Sequence, residues 1–126
     1  MKAFAHIMIV SATLAVAGTG HAAEIGDAEA GAALFKKNCA SCHEIGDGAQ
    51  NRIGPRLNGL FGRTAGTVED VKYSPNMVRM GNDGLTWTAQ TLDAYIENPR
   101  ALVSKTRMSF RGLSDPQDRA DLIAYL

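Results

Sequence analysis

Cys39-Ala40-Ser41-Cys42-His43 sets two thiols and an imidazole within five consecutive residues, and it constrains this chain more than any other feature. A redox Cys-x-x-Cys of thioredoxin type opens a helix inside a βαβ unit, and no strand-like run precedes Cys39. Zinc needs four ligands, and with two cysteines in all the chain has no second Cys or His pair to complete the set. A disulfide across two residues is strained and closes too short a loop to stabilise anything. One reading uses all three side chains: the thiols add across the two vinyl groups of one haem, and the adjacent imidazole reaches the iron. The two-residue gap fits one helical turn, which puts both sulfurs on one side of the macrocycle.

The amino terminus reads as an export signal. Lys2 supplies the positive start, and Phe4 to Ala17 is apolar apart from His6, Ser11 and Thr13. About fourteen residues at ~1.5 Å each make ~21 Å of helix, short of the ~30 Å hydrocarbon core. Gly20 and Ala22 satisfy the small-x-small cleavage rule, so residues 1–23 are expected to be removed by cleavage after Ala22 or Ala23. That leaves 24–126 as the working domain and the periplasm as its compartment. His6 and His21 leave with the signal, so His43 is the only histidine of the mature chain, and Met77, Met80 and Met108 are its methionines.

A chain of 126 residues holds one small domain. Its 13 basic and 13 acidic residues argue against a nucleic-acid-binding protein, which carries a basic excess. Apolar residues at 45% place it in the ordinary globular range.

Asp27 is a plausible cap for a helix over Ala28 to Asn38 that runs into the motif, with Gly31, Leu34 and Phe35 inward. Ile45 to Gly66 holds six glycines and one proline, which favours loops. Ser74-Pro75 predicts a short helix to Met80, broken by Gly81 to Gly84. Thr86 or Thr88 caps a helix through Glu97 that Asn98-Pro99 stops. The last helix is expected to open at Ser114, with Gln117 completing a capping box and Leu122, Ile123, Tyr125 and Leu126 on its apolar side. No run alternates with period two, so the fold expected is all-α: four or so short helices with long loops. Such loops leave the domain short of core, and a large, flat, apolar haem supplies the missing volume.

With these pieces in order, residues 24–126 resemble the class I cytochromes c, in particular their short soluble bacterial members. The resemblance rests on the Gly31 to Phe35 helix, Cys39 to His43, Gly54-Pro55, Leu60-Phe61-Gly62-Arg63, Tyr73-Ser74 and Thr86-Trp87. It continues through Tyr95, Thr106-Arg107-Met108 and Leu122 to Leu126. It implies one covalent haem c, held as thioethers by Cys39 and Cys42, with His43 and Met108 as axial iron ligands. Met108 is preferred over Met77 and Met80 because it lies in a loop, at the family's offset from Tyr95; the other two lie on a helix, where methionine more often fills core. The resemblance gives Pro55 the task of accepting the second imidazole nitrogen. Arg63, Tyr73 and Trp87 match donors to a haem propionate. Tyr95 and Thr106 match residues near the methionine sulfur and the inner propionate, and Phe110 an aromatic over the haem edge. Two departures stand out. Ser104-Lys105 replaces a frequent Pro-Gly, and Gly81 to Leu85 is longer than in mitochondrial members.

The function so implied is one-electron shuttling between Fe(III) and Fe(II) by a soluble monomer, without enzymatic chemistry. Two strong axial ligands close the iron to other reactions. Partners implied are a quinol-oxidising cytochrome complex and oxidases, reductases or a photosynthetic reaction centre, docking transiently. Rival readings are a haem subunit docked to a dehydrogenase and a haem enzyme or gas-binding protein with an exchangeable sixth ligand. Without Lys2 the charge stands at 12 basic to 13 acidic residues, yet Asn98 to Ser114 carries Arg100, Lys105, Arg107 and Arg111 with no acid. These, with Arg52 beside the motif, are expected to form a basic ring at the haem edge that meets acidic partners.

Overall fold

Asp27 closes the first helix as its position predicts: its carboxylate accepts the backbone N–H of Glu29 at 2.9 Å and of Ala30 at 3.3 Å. The structure, a computed structural model, describes residues 25–126; the expected export signal lies outside the described residues. Helix α1 spans Ala28–Asn38, and Lys36 and Lys37 in its last turn complement the helix dipole. It ends at the motif, where the N–H groups of Cys42 and His43 both turn back to the Cys39 carbonyl, at 3.1 and 2.9 Å.

Helix α2 spans Pro75–Asn82, with Ser74 Oγ accepting the Met77 N–H at 3.1 Å. It runs through Gly81, which was expected to break it. Gly81 is buried in the last turn because a side chain there would strike the Ala65 carbonyl; the turn itself falls at Gly84, φ 104°. Thr88 caps α3, Ala89–Glu97, in a reciprocal box with Thr91. Asn98 ends that helix and also starts another: its side chain caps the four-residue α4, Pro99–Leu102, so the stop expected at Asn98-Pro99 is a stop and a restart.

Helix α5 spans Pro116–Tyr125, and its cap is Asp115 rather than Ser114. The Asp115 carboxylate stands one residue before Pro116, whose fixed φ suits the first helical position. The Ser114 carbonyl is taken instead by Arg119 Nη1 at 3.0 Å. Gln117 makes no capping box; its side-chain amide donates to Asp121 at 2.8 Å and to the Ile25 carbonyl at 3.0 Å.

Helices α1 and α5 cross where Gly31 has no side chain, since a Cβ there would run into the Asp121 carbonyl. Beside the crossing, the Phe35 and Tyr125 rings pack with centroids 5.5 Å apart, and Asp121 accepts the Asp27 N–H at 2.8 Å. Among the described residues there is no strand, only an isolated bridge between Thr64 and Thr86, so the all-α reading holds. None of these helices is long and apolar enough to cross a membrane.

Among the described residues the buried apolar core numbers ten: Phe35, Leu60, Ala65, Met77, Trp87, Leu92, Tyr95, Ile96, Val103 and Leu122. Seven of them also line a single cleft, so most of the core is the wall of that cleft rather than protein packed on protein. The helices hold the cleft open against the loops that close its other side.

Candidate functional site

The cleft has about 1500 Å³ of space free of protein atoms, its solvent-facing mouth included. Cys39, Cys42 and His43 line it from the end of α1, Pro55 and Arg63 from the glycine-rich loop, and Tyr73 and Met77 from the entry to α2. Trp87 and Tyr95 come from around α3, and Thr106, Met108 and Phe110 from the loop before α5. Every side chain expected at a haem site therefore faces one cavity.

His43 is held from two directions. Its Nδ1 lies 2.7 Å from the Pro55 carbonyl, which can only accept, so Nδ1 carries the proton and Nε2 is left with a lone pair. Gly54 presses on the ring, where a Cβ would collide with it. Burial lowers the imidazole's affinity for a second proton, opposed by the Pro55 hydrogen bond. The result is a neutral, oriented imidazole, which is what iron needs.

Both cysteines are free and half-buried. Burial, with Cys42 adding to it, pushes the Cys39 thiol up to about 11. A redox Cys-x-x-Cys depends on a depressed thiol at its first cysteine, and Cys39 is shifted the other way.

The loop carrying Met108 is anchored by hydrogen bonds. Tyr95 and Thr106 hydroxyls lie 2.7 Å apart, and Thr106 Oγ1 accepts the Met108 N–H at 3.3 Å. Desolvation raises the Tyr95 phenol above its ordinary value, with the Thr106 bond opposing, so it stays a neutral donor or acceptor. Lys105 adopts φ 58°, left-handed backbone that a side chain resists. Arg63 donates to the carbonyls of Arg56 at 3.1 Å and Asn58 at 2.5 Å, and Tyr73 accepts the Val68 N–H at 3.3 Å.

Met77, expected as core filler, is buried in the cleft wall. A signal was present: Met77 and Gly81 lie one turn apart on α2, on the face turned inward. Met80 packs against the core outside the cleft lining. Of the five basic residues expected at the edge, Arg107 lines the cleft, joined there by Lys72, which sequence reasoning missed. Arg52 pairs with Glu44 at 3.5 Å, both partners accessible to water.

The sequence profile of the cytochrome c family matches residues 28–126. The chain belongs to the class I cytochromes c. It is 46% identical over 103 residues to a cytochrome c2 of Afifella marina, covering 82% of this chain and 83% of that one. Against a cytochrome c of Cannabis sativa it is 46% identical over 101 residues, covering 80% and 88%. The solved cytochrome c2 of Rhodospirillum centenum superposes with a TM-score of 0.74 at 38% identity, covering 79% of this chain and 95% of that one.

This cytochrome binds one covalent haem c, and its residues fit the group: paired thiols, a neutral imidazole with a free lone pair, and a cleft walled by apolar side chains. As a member of its family it is an electron carrier.

Proposed function

We propose that this cytochrome is a periplasmic, monomeric one-electron carrier in which Cys39 and Cys42 form the haem thioethers and His43 and Met108 are the axial ligands. The observation that carries the reading is the meeting of these four side chains on one cleft, with the His43 tautomer fixed by Pro55. When bound, haem c supplies a one-electron Fe(III)/Fe(II) couple with a potential raised by thioether ligation.

The chain's own part is to hold the ligands still and keep water out. Pro55 and Gly54 orient His43, while Tyr95 and Thr106 set the backbone at Met108. Arg63, Tyr73 and Trp87 stand in the cleft wall as donors for a propionate. Desolvation lowers the Arg63 guanidinium below its ordinary value, with Tyr73 opposing and Arg56 adding, and an adjacent carboxylate would offset that cost. Phe110 lines the cleft, where it would cover the haem edge. With haem bound, His43 and Met108 would leave no iron position open to substrate, which suits electron transfer rather than enzymatic chemistry.

Partners are redox proteins that dock briefly: a quinol-oxidising cytochrome complex on one side, and oxidases, reductases or a reaction centre on the other. Arg52, Arg100, Lys105, Arg107 and Arg111 are exposed and supply the positive charge for that contact.

The test is the absorbance band of sulfur-ligated Fe(III) near the red edge of the visible spectrum. It should vanish in Met108→Ala and persist in Met77→Ala and Met80→Ala. Rapid carbon monoxide binding to the reduced wild type would overturn the carrier reading. Electron-transfer rates independent of ionic strength would overturn the basic docking face.

A further inference from the structure

The loop that carries Met108 leaves the core at Val103, which is fully buried, and returns at Gly112, whose backbone lies against the Glu97 carbonyl. Its far end is well fixed. Leu113 donates to the Ile96 carbonyl at 2.9 Å, and Arg119 reaches the carbonyls of Leu113 and Ser114 at 2.9 and 3.0 Å. Arg119 is itself buried and paired with Asp93 at 2.8 Å.

The near end is built differently. Ser104 and Lys105 are exposed, neither stiffens the backbone, and Lys105 holds a φ of 58° that its side chain disfavours. A strained conformation persists only where its surroundings over-determine it. Locally the turn is closed by the Thr106 N–H, which donates to the Val103 carbonyl at 3.2 Å, and the tertiary contact that adds to it comes from α2. Asn76 Nδ2 donates to the Ser104 carbonyl at 2.6 Å and to Ser104 Oγ at 3.3 Å, across 28 positions of sequence. The amide cannot turn round freely, because Arg79 donates to its Oδ1 at 3.4 Å. Helix α2 is a firm base for it, capped by Ser74, rooted by buried Met77 and seated on Ala65 at Gly81.

We propose that Asn76 is a positioning residue for the Met108 loop, its amide clamping Ser104 and so holding Lys105 in the conformation that directs the following residues into the cleft. The inference rests on the reading of Met108 as axial ligand. A clamp of this kind sets how often the loop opens, and hence how firmly the thioether stays in place.

The experiment uses the haem-loaded protein and follows two quantities: the pH at which the sulfur-to-iron band is lost, and the reduction potential. Asn76→Leu keeps the size and removes the bond. A roughly tenfold rise in the open population is expected, which moves the band midpoint down by about one pH unit. The potential should fall with it, since thioether ligation raises it. Ser104→Ala, which keeps the carbonyl acceptor, should shift both quantities less. Asn76→Leu combined with Lys105→Gly should regain much of the loss, because glycine adopts the left-handed conformation unaided. A purely structural Asn76 would lower thermal stability and leave midpoint and potential where they were, and that outcome overturns the proposal. Retention of the band in Met108→Ala would instead overturn the ligand reading beneath it.

Discussion

The Tyr95 hydroxyl sits 2.7 Å from the Thr106 hydroxyl, and the Thr106 oxygen also accepts the Met108 N–H at 3.3 Å. One threonine thus serves both the helix that forms the cleft wall and the loop that enters the cleft. Tyr95→Phe removes one bond and should cost about 0.5–1.5 kcal/mol. Thr106→Val removes both and leaves the Met108 N–H without its acceptor, so it should cost more. Denaturant midpoints of the haem-loaded variants give the order; equal losses would contradict it.

Gly31 allows α1 and α5 to touch backbone to backbone. A Cβ there meets the Asp121 carbonyl, which belongs to a helix and cannot step aside. Gly31→Ala should therefore destabilise by about 1–3 kcal/mol despite alanine's better helix propensity. Thermal unfolding should show it as a fall of roughly 4–8 °C for each kcal/mol.

Tyr73 gives the domain an alkaline limit. Desolvation raises its phenol above the ordinary value of 10, outweighing the Val68 hydrogen bond and Arg63, which lower it. The folded chain thus ionises later than the unfolded one. The associated stability is complete below pH 10 and is lost as pH rises through the folded value. Denaturation midpoints of wild type should fall more steeply than those of Tyr73→Phe as pH rises above 10.

Seven of the ten buried apolar residues face the cleft, so removing the haem exposes most of the core to water. A Cys39→Ala, Cys42→Ala chain produced without haem should show no cooperative thermal transition. Calorimetry decides this directly, and a sharp heat-absorption peak would refute it.

Helix starts were legible where a single residue carries the signal: Asp27, Ser74 and Thr88 each cap the helix that follows. Asp115 was misread because Ser114, Asp115 and Pro116 offer two caps in a row, and the choice depends on Arg119 claiming the Ser114 carbonyl from within the folded core. Gly81 was read as a breaker because propensity is local, whereas its cause is Ala65, a neighbour distant in sequence. The cleft residues were legible through motif and resemblance. Met77 and Lys72 were not singled out as cleft residues, since their place depends on how α2 and its approach are seated. No spacing rule announces the Asn76 clamp, which joins an unremarkable asparagine to a loop on another element.

The hydrogen bond from Asp27 to Asp121 spans 94 positions, and it belongs to the crossing that unites the first helix with the last. A chain that emerges amino terminus first offers α1 and its two thiols well before α5 exists to pack on them. Contacts of such long range are made late, because the intervening loop must close first. Until α5 packs on α1, Cys39 and Cys42 would stand open to haem, and closure of the crossing would be the step that seals in whatever had been attached.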